Sequence, residues 1–80
     1  MWTNDYAQAL TSAADKEISI PDEESVLDFT RRVAHGSERK NAPLATFLAG
    51  WYVGTRVATG IDPEVAWQEA AQLGDGLLED

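Results

Sequence analysis

His35 and Glu38 stand three residues apart near the expected end of a helix, and an imidazole beside a carboxylate could move a proton as a general acid/base pair. That chemistry also needs an enclosed pocket and a group that stabilises developing charge, and the chain shows a pattern for neither. His35 therefore reads as a cation set against the negative end of a helix dipole. Glu38 and Arg39 read as a surface pair or as a cap on the following helix. One histidine, no cysteine and scattered carboxylates lack the spacing that holds a metal ion. No catalytic, cofactor-binding or metal-ligating residue is expected, and no cofactor.

The cations are more suggestive. Arg31, Arg32, Arg39 and Lys40 lie within ten residues of one another, and only Lys16 and Arg56 occur elsewhere. Guanidinium groups beside a helix start near Asn41 form a plausible seat for a phosphate or for a partner's carboxylate. Arg31, Arg32, His35, Arg39 and Lys40 are the candidate partner- or anion-binding residues. Against this, Asp28 precedes Arg31 and Arg32 by three and four residues, the favourable order for intrahelical ion pairs on a solvated face. Neither type of glycine-rich phosphate loop is present.

The remaining charge is acidic: the formal net charge is -8, which repels phosphate backbones and removes the term that dominates non-specific nucleic-acid binding. Nucleic acid is not an expected partner. Eighty residues suffice for one core, so a single domain over residues 1–80 is expected, stabilised by packing alone because disulfides are excluded. The segment 1–5 lacks a signal peptide's basic flank and apolar run, and the most apolar stretch, 44–58, is too short for a bilayer and contains Arg56. A cytoplasmic protein without a membrane partner is expected.

Apolar spacing is helical throughout, and the expected fold is all-α, a compact four-helix bundle with helices near 4–15, 21–35, 42–59 and 62–78. In the first helix Trp2, Tyr6, Ala9, Leu10 and Ala13 share a face, with Thr3 or Asn4 as cap. Ser19 and Asp22 have the form of a capping box for the second, with Pro21 in its first turn. Val26, Phe29, Thr30 and Val33 form its inner face, and Gly36 ends it in the left-handed conformation. Asn41 is the expected cap of the third helix, with Pro43 in its first turn.

The third helix is apolar nearly all round, with Leu44, Phe47, Leu48 and Trp51 on one side and Val53 and Val57 on the other, and is expected in the middle of the bundle. Gly50, Gly54 and Ala58 recur every four residues, which predicts close approach by another helix. Gly60 then ends this helix, and Asp62 with Pro63 starts the fourth. In that helix Trp67, Leu73, Leu77 and Leu78 fall on the apolar side. Trp2, Trp51 and Trp67 are all expected in the core. Trp2, near the chain end, is the first choice if one of them lies at a binding surface.

The run from Val33 to Gly50, with Val33-Ala34-His35-Gly36 followed by Glu38-Arg39 and then Ala42-Pro43-Leu44, resembles the centre of a family of small, mostly actinobacterial helical domains of unknown function. The resemblance extends from about Val26 to the end of the chain. It implies a helical fold and a metabolic neighbourhood, because members occur alone or beside a molybdenum cofactor guanylyltransferase domain. It implies no reaction. The expected function is a non-catalytic helical module for protein interaction or regulation, and the resemblance makes molybdenum cofactor guanylyltransferase the first candidate partner, in the biosynthesis of molybdopterin guanine dinucleotide. The alternative is a small anion- or nucleotide-binding protein using residues 31–40. Oligomeric state is not legible.

Overall fold

A computed structural model describes residues 2–78 and shows four helices, with no strand among those residues: α1 (Trp2–Ala14), α2 (Glu23–Gly36), α3 (Asn41–Val57) and α4 (Pro63–Leu78). The all-α four-helix architecture is the one expected from apolar spacing. α1 stops as Asp15 turns left-handed, at φ 57°, and donates its amide to the Thr11 carbonyl at 2.9 Å. The connector then folds back on α1, because Thr11 Oγ1 accepts from the Ile18 amide at 2.8 Å and donates to the Ile18 carbonyl at 3.2 Å.

The start of α2 corrects one expectation. Asp22 itself is the cap, extended at φ -155° and accepting from the Ser25 amide, so Ser19 and Pro21 lie ahead of the helix. Gly36 corrects another: it is the last helical residue, and only Gly60 among the glycines has positive φ. Its side-chain-free surface answers to a neighbour instead, since a Cβ there would meet Leu78 Cδ2 at 3.2 Å. Gly60, at φ +97°, behaves as expected and terminates α3 by donating to the Val57 carbonyl at 2.9 Å. Asp62 caps α4, accepting from the Glu64 amide at 2.8 Å, with Pro63 at the first helical position.

The helix-on-helix packing runs through α2, α3 and α4; α1 lies against none of them. α4 runs back along α3, and α2 packs on both. The buried residues are Phe29 and Val33 from α2, Ala49 from α3, and Ala66 and Trp67 from α4. Val26, Ala45, Val53, Ala70, Ala71 and Leu78 close around them. α1 contributes no buried residue, and Trp2 and Tyr6 stack on each other in the open with ring centroids 5.0 Å apart.

Phe29 and Trp67 meet edge to face at 5.5 Å, and the Trp67 indole nitrogen donates to Ser25 Oγ at 2.9 Å, so one tryptophan both fills the core and ties α4 to α2. The close approach predicted at Gly50 and Gly54 is elsewhere. Nothing lies within 4 Å of a Cβ added at either, whereas at Gly74 it would sit 2.8 Å from the Phe29 ring. Aromatic packing into the backbone of α4 is what that glycine permits.

Gly74→Ala should therefore destabilise the chain by about 1–3 kcal/mol through overpacking of Phe29. Gly54→Ala should be neutral or raise stability by up to about 1 kcal/mol, from helix propensity alone. Urea denaturation followed by circular dichroism distinguishes them, and equal midpoints would refute the assignment. Asp62→Ala should cost about 1 kcal/mol without loss of α4, read by the same unfolding curves and by helical content.

Candidate functional site

The cations of the basic island separate in space by function. Arg31 pairs with Asp28 one turn earlier on α2. Arg32 crosses to α4, where its Nε and one terminal nitrogen donate to the two carboxylate oxygens of Asp75 at 2.9 and 3.2 Å, and its guanidinium carbon lies 5.8 Å from the Phe29 ring centroid. A bidentate pair over an aromatic face orients both helices. Lys40 lies 3.5 Å from Glu38. Arg39 forms no ion pair among the described residues.

His35 shares a shallow open depression with Arg32, Gly36, Asp75 and Leu78. No hydrogen bond or ion pair among the described residues joins it to Glu38, which faces Lys40 instead. Arg39 and Lys40 lie outside the depression, so the five candidate residues are not gathered at one point. No cluster of three or more metal-ligating side chains occurs among the described residues.

The start of α3 also differs from expectation. Lys40 occupies the cap position with helical dihedral angles and no capping side chain, while Asn41 is the first helical residue and donates its side-chain amide to Ser37 Oγ at 3.2 Å. A preceding turn already uses the first amides: Asn41 donates to the Glu38 carbonyl at 2.9 Å and Ala42 to the Arg39 carbonyl at 3.1 Å. Pro43 has no amide hydrogen to offer. Little of the usual anion-binding capacity of a helix start is left there.

A polar triad that the sequence did not reveal joins α3 to α4. Glu69 Oε1 accepts from the Tyr52 hydroxyl at 2.9 Å and from Arg56 Nε at 3.2 Å. The Arg56 and Tyr52 hydrogen bonds hold the Glu69 carboxyl below its usual range, with desolvation opposing. Tyr52 is pushed up, chiefly because its proton is bound to Glu69, with burial and the nearby carboxylate charge adding to the shift. Arg56 is raised by the same carboxylate. Residues 13 and 17 apart in sequence are joined by the reversal at Gly60.

Arg56 is the only charged residue of α3 and turns inward to α4, so the outward side of this 17-residue helix has no charge. It carries Leu44, Phe47, Leu48 and Trp51, which are 60, 66, 65 and 67% exposed. Phe47 and Trp51 touch edge to face with centroids 5.9 Å apart. Leu73 and Leu77, also exposed, stand one and two turns beyond Glu69 on α4. Here the central position expected for α3 is corrected: Ala45, Ala49 and Val53 face the core and the bulky residues face out. Of the three tryptophans only Trp67 is buried; Trp2 and Trp51 are exposed.

The class this defines is a small all-α domain with an apolar outer face. More particularly, the whole chain, residues 1–80, matches the family model "Domain of unknown function (DUF6457)", and it belongs to that family. No curated protein and no solved structure matches it. No described helix is long and apolar enough to cross a membrane.

Lowering the pH should remove the stabilisation that Glu69 provides. Its folded-state pKa is depressed, so the contribution is present above the unfolded glutamate value and is lost as pH falls through the folded one. Tyr52 has the opposite sign: its contribution holds below the ordinary phenol value and disappears as pH rises through the raised one. NMR titration should place the Glu69 midpoint below the ordinary glutamate value. Glu69→Gln should flatten part of the acid limb of the stability curve; an unchanged limb would remove the triad from the account.

Proposed function

We propose that this chain is a non-catalytic helical module that works by binding protein, and that its contact surface is the outward face of α3 with the adjoining edge of α4. The observation that carries this is the uncharged run of Leu44, Phe47, Leu48 and Trp51, each about two-thirds exposed. Contiguous exposed apolar surface rimmed by polar residues marks protein contact, and Trp and Phe are favoured at the centres of such surfaces. The bulkiest side chains of the most apolar helix face outward while the core is built from Phe29, Val33, Ala49, Ala66 and Trp67. A partner that covers them removes the cost of that arrangement.

The resemblance in the central motif makes a molybdenum cofactor guanylyltransferase, of actinobacterial origin, the first partner to test, and a role in molybdopterin guanine dinucleotide biosynthesis the first pathway. We also place the chain in the cytoplasm, since it has none of the cysteines on which small secreted domains rely. The second reading, anion or nucleotide binding at the basic island, rests on Arg39, the one island cation without an ion pair among the described residues. It has less support, because Arg31, Arg32 and Lys40 are engaged and the first amides of α3 are used.

Calorimetric titration of the chain into purified guanylyltransferase separates the two readings. Phe47→Ala and Trp51→Ala should each weaken binding by about tenfold or more, whereas reversing Arg39 and Lys40 to Glu should change it by less than about threefold. Loss of binding on charge reversal alone, together with saturable phosphate or GTP binding at Arg39, would transfer the function to the island. Absence of any binding would remove this partner.

A further inference from the structure

We infer that the outward face of α3 is a self-association surface, on which a second copy of this chain packs with its own α3 antiparallel. The inference rests on the reading of this face as a protein-contact surface and goes beyond it by naming the occupant.

Three features of the face select a second copy. The first is a gradient of size along the helix. Leu44, Phe47 and Leu48 project from the N-terminal half, while Gly54, Thr55 and Ala58 line the C-terminal half and are exposed. A Cβ added at Gly54 meets nothing within 4 Å, so the chain itself leaves that hollow empty. Turning a second α3 end for end about an axis at Trp51 brings bulk against hollow at every turn. Phe47 falls opposite Gly54, Leu48 opposite Thr55, Leu44 opposite Ala58, and Trp51 meets its own copy. This is the self-complementarity that a twofold isologous contact requires. Neither a parallel pairing nor a shift of one helical turn matches large to small in this way.

The second feature is the absence of charge. Each copy has a net charge of -8, and like charges at a shared centre would prevent association. On α3 the only charged side chain, Arg56, is turned away and held by Glu69, so two copies meet without burying a charge or opposing like charges at the centre. The third is area. Leu44, Phe47, Leu48 and Trp51, joined by Leu73 and Leu77 at 64 and 87% exposure, present on the order of 800 Å² per copy, which is what an interface of standard size takes from each partner. Paired in this way, α3 and α4 of both copies make a layer of four helices, and the outer leucines gain the cover that α1 does not give them.

Sedimentation and light scattering on the full chain test this directly. At about 100 µM the chain should be dimeric, and dissociation should become less favourable as salt rises, because the copies repel at long range through like net charge. Gly54→Leu should give a monomer with unchanged helical content, since the added side chain has room within its own chain and fills the hollow that Phe47 of the second copy needs. Trp51→Glu should do the same by placing charge on the axis. The chain has no cysteine, so Leu44→Cys mixed with Ala58→Cys should form a disulfide-linked pair faster than either variant with itself. A wild-type monomer under all these conditions overturns the inference, as does a dimer that survives both Gly54→Leu and Trp51→Glu, or a crosslink that forms fastest between two Leu44→Cys chains. If the chain is monomeric and guanylyltransferase binding still falls with Phe47→Ala, the self-association fails and the docking surface stands. If it dimerises as described but binds no guanylyltransferase, the dimer stands and that partner fails.

Discussion

The Phe29 ring is the keystone of this small core. It lies against Gly74, meets Trp67 at its edge and is covered by the Arg32 guanidinium, which in turn holds Asp75. Through those three neighbours one side chain fixes the approach of α2 to α4. The indole of Trp67 extends the same linkage to Ser25, near the start of α2. Burial of a single large apolar side chain is worth about 1.5–3 kcal/mol, a large part of the margin of a chain of 80 residues. With α2 and α4 set, α3 has a trough in which to lie, and Ala45, Ala49 and Val53 are the residues that enter it.

That last point explains why the outer face exists. A helix seated through Ala45, Ala49 and Val53 approaches its neighbours closely, and everything on its far side is carried outward. Leu44, Phe47, Leu48 and Trp51 are exposed for this reason rather than through any looseness of the core. The polar triad of Tyr52, Arg56 and Glu69 holds the α3 and α4 register from the flank.

What could be read from the sequence was what is decided locally. The stop at Gly60, the cap at Asp62 and the pair of Asp28 with Arg31 each depend on residues within a turn of one another, and all three hold. The four helices follow from apolar spacing for the same reason. Choices between chemically equal residues were not legible. Gly54 and Gly74 both lie inside helices, and only the distant Phe29 decides which is crowded. Trp51 and Trp67 both lie on apolar sides, but only Trp67 finds a hydroxyl at Ser25 and a ring at Phe29. A helix apolar all round gives no sign of which face turns inward. Arg32 illustrates the same limit for charge: its partner is Asp75, 43 residues away, and not Asp28 on its own helix, so a cation of the island serves to join two helices.

α1 is tied to the remainder through its own connector, by the paired bonds of Thr11 and Ile18, and shares no buried residue with the other helices. Cooperative unfolding is carried by buried contact, so α1 forms a separate unit of opening. Its amides should exchange with solvent water through fluctuations that leave α2 to α4 intact, while those beside Trp67 and Phe29 wait for the whole core to open. The chain thus has two levels of protection within 80 residues, and a probe placed on Tyr6 and one placed on Trp67 would report different events during the same experiment.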